Sequence, residues 1–392
     1  MTGLRISRRR FGLLAGAASL AACAPEERAR APSYFEGRLS DWTQAILIDD
    51  PELATSSGIA AADLGAPVHE RLTDRGPEAM DRRRTAALRR LIELRALDRD
   101  GLSPADQAIH TVAMRHFEAS AAVASFSVGA FSAFGGGQPY AFDQLNAAFI
   151  GVPDFLEARQ PLATLAEAET WLGRIAAYPA ILDSQIAHAR HEAEQGRLPP
   201  QGVALATLRA AEAQLAAPAE AQSLYAGFAR RIDALVPPSI DGVTLSPEQR
   251  QAASLKQQAL ALVRDRAGPA LQRTAQTLRA LAAAAPAEPG VWRLQDGEAY
   301  YAAVLRYETT TALTPQEVHA LGRERLAGLT AELDASLKRL GFTTGTVAER
   351  MAALTADPAY QYPNTDEGRA QLLADVQARI ARALADAPNW FG

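Results

Sequence analysis

The sequence has a single cysteine in 392 residues. That excludes an intrachain disulfide and any zinc site built from several thiolates. It has only two lysines, Lys256 and Lys338, so its cationic chemistry is almost wholly that of arginine. Neither lysine follows a glycine, so no phosphate-cradling loop is present. The signatures of a serine nucleophile, Gly-x-Ser-x-Gly and Ser-x-x-Lys, are missing, and so is the His-Glu-x-x-His zinc helix. Alternating runs of Val, Ile and Thr are almost absent, which leaves little material for a sheet. What remains is a chain of 48% hydrophobic residues with a net charge of −5. Such a chain is long and apolar enough to bury a sizeable core.

The N-terminus reads as an address rather than as part of the fold. Residues 1–22 carry a basic start and the apolar stretch Phe11–Ala22, 12 residues long. As a helix that stretch reaches roughly 18 Å, well short of a bilayer core of about 30 Å. It therefore fits a signal peptide and not a membrane span. Ser7-Arg8-Arg9-Arg10-Phe11 resembles the twin-arginine export signal, with Arg8 and Arg9 as its pair. Leu20-Ala21-Ala22-Cys23 resembles a lipobox, which makes Cys23 the lipidation site and the membrane the first expected partner. Ala24 follows the cysteine in place of a retention aspartate, which tilts the expected location to the periplasmic side of the outer membrane. Cleavage would remove four of the 40 basic residues and none of the 45 acids, taking the net charge from −5 to −9. That charge repels phosphate backbones, so no nucleic-acid partner is expected.

Beyond a polar linker at 23–33 the chain reads as helices. Ser103, Thr164, Ser246 and Thr314 each precede an apolar-periodic run and carry an acid or amide three residues on. In three of the four, proline occupies the first helical position. Leu326, Leu329, Leu333, Leu337 and Leu340 form one apolar stripe. Gly196 marks a helix end, and Gly268-Pro269 a kink or division. The expected fold is all-α, a multi-helix array with little or no sheet. A helical domain is expected over 34–290, and a further helical segment, the start of a catalytic region, over 291–392.

Candidate chemistry is sparse. His188, His191 and Glu192 lie within one turn of one another, with Gln195 where a second zinc histidine would stand. They are the candidates for a metal site; the alternative is a solvated helix face running into the stop at Gly196. Arg82, Arg83, Arg84, Arg89, Arg90 and Arg95 form a basic helix, read as a solvated face or a contact for lipid headgroups. Phenylalanines crowd around Gly135-Gly136-Gly137, either as a loop packed over the core or as the wall of a substrate cleft. Tyr140, Tyr300, Tyr301 and Arg306 are the candidate cleft residues. A helix puts Tyr300 and Tyr307 on one face and Tyr301 and Arg306 elsewhere. Tyr300 is read either as a buried, satisfied tyrosine or as a group that orients a peptide carbonyl.

The order of several motifs resembles one bacterial family. Asp50-Pro51-Glu52-Leu53-Ala54-Thr55 with Gly58 comes first, then Pro139-Tyr140, Gln144-Leu145, Pro153-Asp154-Phe155-Leu156 and Tyr178-Pro179. Gly297-Glu298-Ala299-Tyr300-Tyr301 and Leu313-Thr314-Pro315-Gln316-Glu317-Val318-His319 close the series. The chain is thus similar to the family of domain of unknown function 885, whose members are often exported lipoproteins. The resemblance implies a helical fold related to zinc peptidases of the gluzincin kind. In such members a helix carrying His-Glu followed by Gly-His would hold zinc, and its glutamate would activate water. That helix belongs downstream of the motifs matched here, and the sequence stops at Pro388-Asn389-Trp390-Phe391-Gly392. No catalytic residue or metal ligand is carried over, and no cofactor is expected in this chain. The expectation is the N-terminal portion of a lipid-anchored, zinc-dependent peptidase-like hydrolase, truncated before its zinc helix and inactive alone. A peptide would be the substrate of the full-length protein. The alternative is a complete, non-catalytic helical lipoprotein that binds an envelope partner.

Overall fold

The computed structural model describes residues 33–238 and 245–391. The expected signal peptide with Arg8 and Arg9, and Cys23, the expected lipidation site, lie outside the described residues, as does nearly all of the expected linker. Two compact units divide the chain, the first ending at Ala312 and the second beginning at Leu313.

In the first unit the order is α1 (Tyr34–Asp49), α2 (Pro51–Ser56), α3 (Ala61–Leu64), α4 (Pro77–Arg95) and α5 (Pro104–Ala124). A two-stranded antiparallel hairpin follows, β1 (Ala130–Ser132) with β2 (Gly136–Gln138), in the register Phe131 opposite Gly137. Then come α6 (Ala148–Arg159), α7 (Leu165–Glu194), α8 (Gln201–Ala216), α9 (Ser223–Leu235), α10 (Pro247–Leu262), α11 (Gly268–Ala284) and α12 (Gly297–Thr309). The second unit holds α13 (Pro315–Arg339), α14 (Val347–Ala356) and α15 (Asp366–Asp386). The fold is predominantly all-α, and this hairpin is the one sheet among the described residues. No described helix is long and apolar enough to cross a membrane.

The anticipated helix starts form as their chemistry requires. Ser103, Thr164, Ser246 and Thr314 each accept the backbone N–H of the residue three positions on. At Ser246 and Thr314 the third residue, Gln249 or Glu317, reaches back to complete a capping box. Gly268-Pro269 does not divide its helix. A five-residue π turn, Val263–Ala267, joins α10 to α11, so the chain widens just before the proline ring and continues.

The main core forms along α7. Trp171, Ile175, Tyr178, Leu182 and Ile186 step by four and three down one face and are all buried. Helices α10 and α11 pack along α7, and α11 also lies along α8. A smaller core joins α1, α4 and α5 through Trp42, Leu91, Leu94 and Phe117.

The family motif at Asp50–Thr55 is a structural knot beside these cores. Asp50 caps α2 and accepts the Thr73 hydroxyl at 2.7 Å, while Glu52 takes both terminal nitrogens of Arg75. Thr55 accepts from Arg174 at 2.8 Å. Arg174 is wholly buried and also donates to the carbonyls of Pro51, Val68 and Arg71 and to Gln160. It has no carboxylate of its own, and burial lowers its pKa to about 10.

One expectation needs correction. The arginine-rich helix, α4, is not a uniformly solvated face: Arg83 and Arg84 are buried. They sit on the same side as Met80, Ala87, Leu91 and Leu94, where the neighbouring elements supply acceptors. The stripe Leu326–Leu340 on α13 does not line a core within the described residues. Only Leu337 is buried, because α14 is the element that packs on α13 and it covers one end.

Candidate functional site

An enclosed polar cluster lies in the first unit, where the end of α7 meets α4 and the turn before β1. Gly196, with φ of +73°, ends α7 in the left-handed conformation that glycine adopts without strain. The Arg197 N–H then returns to the Glu192 carbonyl at 2.9 Å. This closure folds Arg197 back along the helix, so its Nε and Nη2 each meet a Glu192 carboxylate oxygen at 2.9 Å. The Gly129 N–H donates to the same carboxylate at 2.9 Å. Opposite, Arg84 donates to the carbonyls of Val128, at 3.0 Å, and Gly129, and pairs with Asp81 at 3.2 Å. Gly129 therefore takes part on both sides. Its φ is +54°, and a Cβ there would stand 1.9 Å from the Gln138 carbonyl oxygen, so only glycine fits.

His188 is buried one turn before Glu192, its Nε2 4.0 Å from the carboxylate. Burial pulls its pKa down to about 4, opposed by Glu192 and reinforced by Arg84 and His191. The imidazole is thus neutral at physiological pH, and the two arginines balance Asp81 and Glu192. These groups line a cavity of about 20 Å³, the room of one water molecule.

This arrangement differs from both readings of the sequence. His191 is exposed while His188 and Glu192 are buried. At about 100° per residue, His191 and Glu192 fall on opposite flanks of His188, and only one flank meets α4. The solvated-face reading therefore fails for His188 and Glu192. Zinc does not fit these residues either. Glu192 spends both oxygens on Arg197 and the Gly129 N–H, and only one buried imidazole stands beside it. Among the described residues no group of three or more His, Cys, Asp or Glu could hold a metal ion. What the cluster does is tie three segments together.

The candidate cleft residues separate. Tyr140 and Tyr300 come together in one buried cluster with Val123, Val128 and Phe131. Tyr301 and Arg306 point away and are exposed. The Tyr140 hydroxyl accepts from Arg293 at 3.2 Å, and the guanidinium lies 5.8 Å from its ring. Arg293, in the turn before α12, escaped the sequence reading. The Tyr300 hydroxyl is buried with no partner, and burial raises its pKa, with Arg84 opposing the shift. It stands over Gly137, where a Cβ would come within 2.7 Å of it. The Tyr307 ring lies over Gly136 in the same way. The glycine run of the hairpin therefore admits two tyrosines of α12 at close approach. His110 and His116 are independent, one against Phe35 and the other against Phe117, Phe134 and Tyr307.

One signal for Arg84 was readable. Met80, Arg84, Ala87, Leu91 and Leu94 step by four and three, so the arginine occupies a core-facing place in an otherwise apolar series. No local signal pairs Glu192 with residue 129, because that contact spans 63 residues.

The fold is a predominantly helical array in which this polar cluster ties α4, α7 and the turn before β1 together. A family model matches residues 51–392, and the chain belongs to that family, described as "Bacterial protein of unknown function (DUF885)". A crystal structure described as "the putative lipoprotein from Colwellia psychrerythraea" matches with a TM-score of 0.78 at 22% identity. The match covers 88% of this chain and 58% of that one, so this chain spans well under two thirds of that structure's length. At this identity the likeness is one of fold. Among curated proteins none matches.

Proposed function

We propose that this chain is the N-terminal scaffold of an exported, lipid-anchored, zinc-dependent peptidase-like hydrolase, contributing one wall of the cleft but no metal ligand. The observation that carries the reading is the span of the structural likeness. Nearly nine tenths of this chain matches a structure of which more than a third has no counterpart here. The geometry at Glu192 is compatible with it, since Arg197 and the Gly129 N–H take both carboxylate oxygens. The Colwellia protein's description as a lipoprotein supports anchoring through Cys23, and Arg8 and Arg9 support the twin-arginine route to the periplasm.

Two measurements test this. Metal analysis of the purified chain is expected to find no stoichiometric zinc, and peptide substrates are expected to survive it; one tightly held zinc overturns the scaffold reading. Replacing Cys23 by serine is expected to release the protein from the membrane fraction and abolish labelling by fatty acid. Retention of both would remove the lipid anchor.

A further inference from the structure

The outward side of α4 departs from the charge of the chain. Between Pro77 and Arg95 the helix carries six arginines against three acids, Glu78, Asp81 and Glu93, in a protein of net charge −5. Arg83 and Arg84 are spent inside, and Arg90 is half-buried. From Arg82 to Arg95 the exposed residues are Arg82, Thr85, Leu88, Arg89, Ile92 and Arg95, which share one arc of the helix and include no acid. Leu88 is 39% and Ile92 69% exposed, although both are apolar. Arg82, Thr85, Ala86 and Arg89 line one open groove, with Glu78 and Asp81 at the end nearer the helix start. Glu93 is turned to the other flank, where it accepts from Trp42 at 2.9 Å and pairs with Arg38 of α1. The pairs Arg82–Asp74, at 3.6 Å, and Arg95–Glu118, at 3.2 Å, are exposed and hold their arginines only weakly. Arginines interleaved with leucine and isoleucine on one exposed helix face suit an anionic lipid surface, where phosphate meets guanidinium and acyl chain meets the apolar residues.

We infer that this face of α4 rests on the membrane to which Cys23 would be tethered, with anionic phospholipid as its partner. The inference rests on the lipid-anchor reading above and gives the anchored molecule an orientation. The choice of occupant follows from the tether and from charge. Ten residues lead from Cys23 to Ser33, the cap of α1, and they can span at most about 36 Å. Arg38, one turn into α1, is the residue paired with Glu93 of α4, so the tether enters the fold beside the exposed arc. Tyr34, the first helical residue, is 74% exposed and supplies at the point of entry an aromatic ring of the kind enriched at headgroup level. The chain is acidic as a whole, so an anionic bilayer repels it except where a face is locally cationic.

Fluorescence quenching on vesicles tests this. The lipidated chain, whose Cys23 thiol is taken by its lipid, receives one new thiol, Ile92→Cys on the arc or Gln258→Cys on α10, and is labelled there with bimane. Each form is reconstituted in vesicles of phosphatidylethanolamine and phosphatidylglycerol that contain brominated acyl chains. Bimane at residue 92 is expected to be quenched at least about twofold more than bimane at residue 258, and Arg89→Glu is expected to cut that excess at least about twofold, since each arginine at an anionic surface counts severalfold in the contact equilibrium. Exchanging the phosphatidylglycerol for phosphatidylcholine is expected to do the same. Arg89 is exposed, so its replacement leaves the core packing alone, and unchanged helical circular dichroism checks this. Equal quenching at the two positions overturns the inference, as does quenching at residue 92 that ignores both Arg89→Glu and lipid charge. The mass of the N-terminal peptide reports on the anchor separately: acylated Cys23 with equal quenching sinks the face and keeps the anchor, whereas an unmodified Cys23 sinks both.

Discussion

Helices α7 and α13 are similar as sequences and opposite as structures. Both are long, capped by threonine and amphipathic. Along α7 thirteen residues are buried, including an arginine-bearing polar set, whereas α13 buries Leu337 alone. The difference lies in what surrounds them: α7 is flanked by α6, α10 and α11, and α13 by α14. An apolar stripe states a requirement for cover; it does not supply the cover. The same holds for charge. Arg174, buried in the first unit, meets four oxygen-bearing neighbours besides Gln160, while the charges of the second unit are mostly in water.

The largest effect expected on this contrast is from Arg174→Ala. It strands several buried carbonyls and should cost about 3–5 kcal/mol, read as a shift in denaturant midpoint. Leu182→Ala opens a cavity in the main core and should cost about 2–5 kcal/mol by the same measurement. Next is the acid limb of stability. His188 in the fold protonates near 4 rather than at its ordinary 6.5. The unfolded chain therefore takes up that proton first, and stability falls as pH drops from about 6.5 toward 4. At pH 5 the loss from this residue is about 2 kcal/mol relative to pH 8. His188→Gln, compared with the unmodified chain across that window, should remove this share while leaving that of the other histidines. An identical pH profile for the two would show that the imidazole is not held neutral.

In the second unit the effects should be small. Thr314→Ala removes a capping box and should cost about 1 kcal/mol of local stability, measured by hydrogen exchange at Glu317. Leu329→Ala should lie within about 0.5 kcal/mol of the parent chain. If Leu329→Ala costs as much as Leu182→Ala, α13 is covered in solution and the contrast between the two helices collapses.

The helix starts were legible because a cap is a local device: hydroxyl, proline and acid act within four residues. The stop at Gly196 was legible for the same reason. The candidate site was legible only in part. Tyr140 and Tyr300 were found as aromatic residues, yet their meeting depends on a hairpin packing against α5 and α12. Tyr301 and Arg306 were drawn in by proximity in sequence and fall on the other side of the same helix.

The amino-acid sequence by itself determined the class of fold, the ends of its helices, the scarcity of sheet and the motifs that place the chain in its family. Those depend on dihedral preference, capping and periodicity, all acting over a few residues. Tertiary structure alone decided that the Gly129 N–H would meet Glu192, that Arg84 would be inside, and that the α13 leucines would be outside. Burial and ionic pairing are properties of what stands opposite a residue, and the residue that stands opposite is chosen by the folded chain across tens to more than a hundred positions.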